Sequence, residues 1–164
     1  MATPLTTLPL NPRDHWAFFH AAAPVSPADR QLIAALDEPS TLHAWEEVVG
    51  QPVPATVVVE HGWICDLSVP FFWQDAWNDR DDGWAARVLR PALCWPDDEE
   101  VLFVERPRRA LKTHFDVFLR AWRAFLIEDE GPLLVSRTKP QVAWFHPSGN
   151  GLLGERPGVV VHSR

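Results

Sequence analysis

The most regular pattern of apolar and polar positions lies in the C-terminal half of the chain. Over 113–127, apolar residues recur at helical spacing and form one stripe: Phe115, Phe118, Leu119, Trp122, Phe125 and Leu126. Arg120 and Arg123 fall outside this stripe, as expected of a helix with one buried face. Thr113 followed by Asp116 resembles the capping box that begins many helices. The pattern predicts one long amphipathic helix over 113–127.

Short apolar runs on either side of this helix predict an antiparallel sheet. Three of these runs cover 101–105, 132–136 and 142–146. A polar turn at 138–141 joins the last two as a β-hairpin, and a second turn at 148–151 precedes Leu152 and Leu153, which predict a further strand. A strand, a long helix and an antiparallel meander in this order are typical of an α+β domain.

The N-terminal half carries shorter elements between many prolines. The apolar run 15–20 predicts a strand. Ser26 and Pro27 have the character of an N-cap and a first helical residue, and they predict a helix that Pro39 ends. The apolar face of this helix has three residues: Leu32, Ile33 and Leu36.

A second N-terminal helix is predicted to begin at Ser40 or Thr41 and to end at Gly50. The residues expected to be buried along it are Leu42, Trp45, Val48 and Val49. The β-branched run 56–60 predicts another strand. Between 73 and 88, apolar pairs four residues apart predict two short helices around the polar loop 78–83.

These patterns predict one α+β domain over 13–164, preceded by a Pro-rich N-terminal tail over 1–12. The domain has two N-terminal helices plus a long amphipathic helix packed on an antiparallel sheet. The chain has 164 residues, of which 46% are hydrophobic, with nine Trp and nine Phe. This length and apolar volume are sufficient for a core without a disulfide or a structural metal.

The N-terminus and the two cysteines favour a cytoplasmic protein. The first residues have no basic segment, and Pro4, Pro9 and Pro12 interrupt their apolar residues, unlike a signal peptide. No apolar run approaches the roughly 18 residues of a membrane-spanning helix. Cys65 and Cys94 form no CxxC pair, and we expect both to be free thiols.

Charge is distributed unevenly along the chain. Residues 1–100 carry 5 Lys and Arg and 16 Asp and Glu, a net charge of −11, whereas 101–164 carry 10 and 6, a net charge of +4. The acidic part repels phosphate backbones and attracts cationic partners. The basic cluster of Arg106, Arg108, Arg109 and Lys112 lacks interleaved aromatic residues. The charge pattern therefore argues against a nucleic-acid-binding protein.

Several C-terminal segments resemble a known family. They are WRAFL at 122–126, DEGPLLVS at 129–136, KPQ at 139–141 and Phe145. They are similar to a bacterial family of small proteins of unknown function, in which a helix end W-x-x-F-L precedes a turn and strand D-[DG]-G-P-[IL]-L. Near the N-terminus, Trp16, Phe18, His20, Ser26 and Asp29 are also similar. The resemblance implies a shared fold, and it implies no activity or site.

Three segments match the residue patterns of known functional motifs but lack the structural context that those motifs need. The glycines of 149–154 spell GxGxxG, but no crossover helix follows, so a hairpin turn is favoured. The S-x-x-K of 136–139 spans a strand end and a turn instead of one helical turn. The loop 78–83 lacks three of the ligands of a calcium-binding EF-hand. No cofactor is predicted.

Two further sets of residues are weaker candidates, one for a metal site and one for a nucleophilic site. His61 and Cys65 are four residues apart and, with Cys94, are candidate metal ligands, although zinc sites use more ligands at tighter spacing. Cys94 is also a candidate nucleophile with His114 as base and Asp116 as its orienting group. For either cysteine, a packing role is the simpler interpretation.

The favoured hypothesis is a small acidic protein that binds and thereby neutralises or regulates a cationic bacterial partner protein, as immunity proteins and antitoxins do. The predicted partner-binding residues lie in one acidic, Trp-bearing segment: Trp73, Trp77, Asp79, Asp81, Asp82 and Trp84. Aromatic anchors among acids suit a basic partner, although core packing is the simpler role for each Trp, including Trp95. The alternative is an enzyme or small-ligand-binding module with a Trp-lined pocket.

Overall fold

The computed structural model describes residues 4–50, 62–128 and 131–159 of the chain. Within these ranges eight strands occur: β1 Thr7–Pro9, β2 Ala34–Leu36, β3 Val69–Phe72, β4 Glu100–Arg106, β5 Arg109–His114, β6 Leu133–Ser136, β7 Gln141–Phe145 and β8 Asn150–Glu155. Five α-helices accompany them: α1 Pro27–Gln31, α2 Glu38–Val48, α3 Gln74–Asn78, α4 Trp84–Leu93 and α5 Phe115–Phe125. Two 3₁₀ helices lie at Trp16–Phe19 and Gly62–Asp66. The strand predicted at 56–60 lies outside the described residues.

The strands form one antiparallel sheet in the order β1-β2-β5-β4-β6-β7-β8-β3. The predicted strands of the C-terminal half are adjacent in it, since β4 pairs with β6 and β6 with β7. The predicted α+β class is confirmed. No helix in the described ranges combines the length and apolar character needed to cross a membrane.

Helices cover both faces of the sheet. Successive residues of a strand point to opposite sides, so the apolar residues of one strand belong to two cores. In β4, Val101 and Phe103 belong to the core beneath α4 and α5. Leu102 and Val104 belong to a second core beneath α2. The sheet is therefore the middle layer of three, which explains why its central strands are apolar on both faces.

The long predicted helix is α5, and its apolar stripe is buried as expected. Its start differs from the prediction: His114 is the N-cap, and no side chain caps it. Thr113 instead lies within β5 and donates its hydroxyl to Leu32 O at 2.8 Å. Arg123, predicted to lie outside the buried stripe, is only 4% exposed.

The predicted strand 15–20 is wrong, because the segment contains the 3₁₀ helix Trp16–Phe19. Local hydrogen bonds favour this turn. His15 N donates to Asn11 O at 2.9 Å, and Asp14 N donates to Asn11 Oδ1 at 2.8 Å. Short polar side chains of this kind offer the backbone an alternative to strand pairing.

The first N-terminal helix is shorter than predicted. Ser26 caps α1 by accepting from Asp29 N at 3.1 Å, as expected, but the helix ends at Gln31. Leu32 is exposed, and the chain then enters β2. The Pro-rich segment 1–12, predicted as a tail, contributes the edge strand β1, which pairs with β2.

The second N-terminal helix, α2, begins earlier than predicted. Its N-cap is Asp37, whose carboxylate accepts from Ser40 N at 2.9 Å. Pro39 therefore lies in the first turn of α2 instead of ending the helix before it. Trp45 is buried as predicted, whereas Leu42 is exposed, and Gly50 ends the segment at φ +68°.

Candidate functional site

The tryptophans of the predicted partner-binding segment are mostly part of the core. Trp73 and Trp84 are buried, and so is Trp95. Trp77 is half-buried, and its Nε1 donates to Arg123 O at 2.8 Å. The simpler role, core packing, therefore applies to these three rings, none of which is more than 6% exposed.

The carboxylates of the same segment are largely paired with arginines. Asp81 forms an ion pair with Arg87, and hydrogen bonds from this guanidinium lower the pKa of Asp81. Asp82 lies 3.2 Å from Nη1 of Arg123. Asp79 is exposed and forms no ion pair with any described residue. The loop thus carries much less uncompensated charge than its sequence suggests.

The acidic side chains of the second acidic run, 97–100, also form ion pairs and hydrogen bonds. Asp97 pairs with Arg90, and Glu100 Oε2 lies 3.3 Å from Lys112 Nζ. Glu99 accepts hydrogen bonds from the hydroxyls of Ser136 and Thr138 at 2.5 and 2.7 Å. These contacts anchor the approach to β4.

Among the residues that the structure describes, neither the candidate metal site nor the candidate nucleophile site is assembled. Cys65 and Cys94 are free, as predicted, but the packing role expected of them is wrong, because both are exposed. His61 lies outside the described residues. Cys94 Sγ donates to Pro91 O at 3.0 Å, whereas Asp116 binds Arg120. His114 Nδ1 lies 3.1 Å from Asp98 O. Among the described residues, no group of three or more His, Cys, Asp or Glu is placed to hold a metal ion.

The GxGxxG and S-x-x-K segments have structural roles. Gly149 forms the turn before β8 at φ +91°, so the hairpin interpretation of GxGxxG is confirmed. A Cβ at Gly151 would lie 2.1 Å from the Phe71 ring, which explains the second glycine as space for β3. Ser136 ends β6, and its Oγ accepts from Lys139 N at 3.2 Å, unlike an S-x-x-K nucleophile.

Several ionisable groups meet at a groove elsewhere on the sheet. The groove has a volume of about 440 Å³. Three parts of the chain line it: the residues before the first 3₁₀ helix, β2, and the β4–β5 hairpin. Its lining residues are Asp14, His15, Ala35, Leu36, Arg106, Arg108, Arg109, Ala110 and Leu111. We call this feature the arginine groove.

Arg109 links the arginine groove to the interior. Its Nε forms an ion pair with Glu105, and its Nη2 lies 3.6 Å from Glu128 Oε2. Its Nη1 donates to Asp14 O at 2.9 Å. Trp16 Nε1 in turn donates to Glu128 Oε1 at 3.0 Å. The guanidinium is thereby held in place while it lines the groove.

Glu105 is a buried carboxylate beneath this guanidinium, with only 3% of its surface exposed. A register shift in the β4–β5 pairing occurs between Val104 and Arg106, as at a β-bulge. Bulges of this kind redirect side chains near functional sites. Burial raises the pKa of Glu105 to about 7, against the opposing attraction of Arg109. Glu105 therefore changes its charge near neutral pH.

His15 forms one wall of the groove and is buried. Its Nδ1 accepts from Asn11 N at 3.0 Å, so the neutral ring carries its proton on Nε2. Burial, followed by the positive charge of Arg109, lowers the pKa of His15. The ring is consequently neutral at physiological pH.

The remaining cations of the groove lie in the hairpin turn. Arg108 is exposed and forms no ion pair or hydrogen bond with a described residue. Arg106 is half-buried and lines the same groove. Against the three arginines stands Asp14, the one carboxylate among the lining residues. Two buried leucines, Leu36 and Leu111, are part of its apolar lining.

In the sequence, the arginines of this hairpin are recognisable only as a basic cluster. Nothing in that cluster indicates nucleic-acid binding or connects it to His15 or Glu105. The available signal was a lone Glu105 at the end of an apolar strand, followed at once by three arginines within 106–109. An acid in such a position favours a buried ion pair.

Comparison with known proteins places the chain in a family. The model of a family described as "Protein of unknown function (DUF2947)" matches residues 9–154. The chain belongs to this family. The predicted W-x-x-F-L motif and the bacterial origin remain predictions. The DUF2947 match includes every segment that lines the arginine groove.

Neither of the other comparisons finds a relative. No curated protein matches the chain, and no solved structure matches it.

Proposed function

We propose that the protein binds a small organic anion, a carboxylate or phosphate with an apolar part, in the arginine groove. The observation that supports this most is Arg108, an exposed cation without an ion pair among the described residues. It lies beside the anchored Arg109 at a concave surface. A volume of about 440 Å³ is within the range of small-ligand sites.

The chemistry of the lining residues favours an anion. A planar guanidinium donates parallel N–H groups that match the two oxygens of a carboxylate or phosphate. Arg109 has five N–H donors, and its contacts with Glu105, Asp14 and Glu128 leave some of them for a ligand. Arg108 supplies a second guanidinium, at the rim.

The apolar part of the ligand is expected to contact the apolar lining of the groove. Ala35, Leu36, Ala110 and Leu111 provide that lining. Because burial of apolar surface is favourable, phenyl phosphate should bind more tightly than inorganic phosphate.

Replacement of Arg108 by Gln should weaken the binding of phenyl phosphate about tenfold, because one charge-assisted hydrogen bond is lost. Isothermal titration calorimetry on the full chain measures the dissociation constant. Arg87→Gln is the matched control, since Arg87 is also exposed but does not line the groove. Equal affinities of Arg108→Gln and the unchanged chain would contradict the proposal.

The predicted cationic protein partner is kept as a second proposal. The observation that supports it is Asp79, an exposed carboxylate without an ion pair among the described residues, close in sequence to the half-buried Trp77. A surface charge of this kind affects mainly the rate of association. The extent of arginine pairing around Asp81 and Asp82 makes Asp79 the cleanest probe of this surface.

Reversal of Asp79 to Lys should slow association with a cationic partner about threefold and weaken its salt dependence. Affinity purification from the native cell identifies the partner, and surface plasmon resonance at two salt concentrations measures the rates. Asp98→Lys serves as control for an exposed carboxylate elsewhere. A partner whose association rate is the same for both variants and the unchanged chain would rule out the Asp79 surface.

A further inference from the structure

We infer that the arginine groove couples anion binding to the uptake of a proton by Glu105. This inference rests on the proposed function. The coupling follows from one guanidinium that faces both sites: Arg109 forms the ion pair with Glu105 and also lines the groove.

Glu105 depends on Arg109 for its negative charge. With 3% of its surface exposed, it has little access to water. Arg109 is the strongest favourable influence on its ionised form, and Arg106 is a weaker one. Glu128, after α5, opposes ionisation by repulsion. An ionised carboxylate that is buried in this way is stable only while its cation remains available to it.

Other ionisable groups near this pair belong to the segment before the first 3₁₀ helix. Asp14 provides a backbone oxygen to Arg109 and a carboxylate to the groove. His15 lies close enough to Arg109 and Glu128 to respond to their charges. In the absence of a ligand, Arg109 already forms ion pairs with two carboxylates, those of Glu105 and Glu128.

A bound anion adds a third negative charge to this guanidinium. The ligand attracts Arg109 and repels the charge of Glu105, and both effects favour the protonated acid. Burial already raises the pKa of Glu105 to about 7, so the additional rise caused by a ligand makes the carboxyl group mostly protonated at neutral pH. Protonation of Glu105 leaves Arg109 with one partner fewer and a stronger attraction for the ligand.

The sign of the pH dependence follows from linkage. Because the bound state holds the proton more tightly, affinity increases as the pH falls from about 8.5 towards 7 and levels off below that. The increase cannot exceed tenfold for each pH unit when one proton is taken up. His15 acts in a different range, because its pKa is lowered and its added charge appears only in acid.

Sulfate is the probe for this coupling, since it stays fully ionised throughout the pH range of the experiment. Titration of the ¹⁵N-labelled full chain, followed by NMR, gives the dissociation constant of sulfate at about pH 6.5 and about pH 8.5. We expect sulfate to bind about fivefold more tightly at the lower pH. In Glu105→Gln, which has no proton to gain, the two constants should be equal.

Two further measurements make the result independent of the Gln variant. Glu100→Gln removes a surface carboxylate that pairs with Lys112 and should keep the pH dependence of the unchanged chain. The ¹³C shift of the Glu105 carboxyl group reports its titration directly in the unchanged chain. Its midpoint should move to higher pH when sulfate is added.

The possible outcomes separate the two claims. Sulfate binding of equal strength at both pH values, with an unchanged Glu105 midpoint, would overturn the coupling and leave anion binding intact. Failure of both sulfate and phenyl phosphate to bind at any pH would overturn the proposed function itself. A pH dependence that persists in Glu105→Gln and disappears in His15→Asn would assign the proton to His15 and also overturn the inference.

Discussion

Replacement of Trp122 by Ala is expected to lower the free energy of unfolding by about 3–5 kcal/mol. Trp122 is fully buried in α5, with 0% of its surface exposed. Its ring lies 4.7 Å from that of Trp84, centroid to centroid, and its Nε1 donates to Asp82 O at 3.2 Å. The truncation leaves a cavity where α4 and α5 meet. Urea unfolding followed by circular dichroism measures the loss.

Trp122→Phe is the control for this cavity. The variant keeps an aromatic ring on Trp84 but loses the hydrogen bond to Asp82 O. We expect it to cost about half as much as the alanine variant, because most of the apolar burial remains. A loss below about 1 kcal/mol for Trp122→Ala would contradict the described packing of α5.

Replacement of Arg123 by Met is expected to lower the free energy of unfolding by about 2–4 kcal/mol. The buried guanidinium donates to Ala22 O at 2.8 Å and to Trp77 O at 3.4 Å. It also lies over the Trp77 ring, 5.2 Å from its centroid. Methionine fills much of the same space but leaves both carbonyl oxygens without this donor. The unfolding midpoint in urea measures the effect.

The partner carboxylate provides the contrast. Asp82 has 70% of its side chain exposed, so its ion pair with Arg123 is screened by water. Asp82→Asn should therefore cost less than about 1 kcal/mol. If the asparagine variant lost as much stability as Arg123→Met, the ion pair would be the important contact, contrary to this interpretation.

The C-terminal half of the fold was predictable because each of its elements has its own periodic pattern. The stripe from Phe115 to Leu126 is specific for a helix, and its length exceeds that of a strand. The hairpin of β6 and β7 has apolar runs on both sides of a polar turn. In these segments local sequence and tertiary packing favour the same structure.

The N-terminal half was predicted less well because pairing between distant segments decides its structure. Strands β1 and β2 have three residues each, too few to show a period of their own. Ala34 and Ala35 are in a strand because Lys112 and Leu111 of β5 lie opposite them. The spacing of Leu32, Ile33 and Leu36 predicts a longer helix, but strand pairing in the sheet prevents it.

The candidate site could not be predicted, since its parts are far apart in sequence. Asp14 and His15 precede a 3₁₀ helix, whereas Arg108 and Arg109 lie about 95 residues further on. The burial of Glu105 depends on how the end of β4 packs in the folded chain. Charge counts along the sequence also overstate the unpaired charge of the acidic loop, because Asp81 pairs with Arg87 and Asp82 pairs with the distant Arg123.

A crystal structure of the full chain with 4-bromophenyl phosphate tests the proposed anion site most directly. The anomalous signal of bromine fixes the position of the ring, and the density fixes the phosphate. We expect the phosphate within hydrogen-bonding distance of the Arg108 and Arg109 guanidiniums, with the ring against Leu36 and Leu111. An anomalous peak at another surface, or an arginine groove without the probe at a saturating concentration, would contradict the proposal.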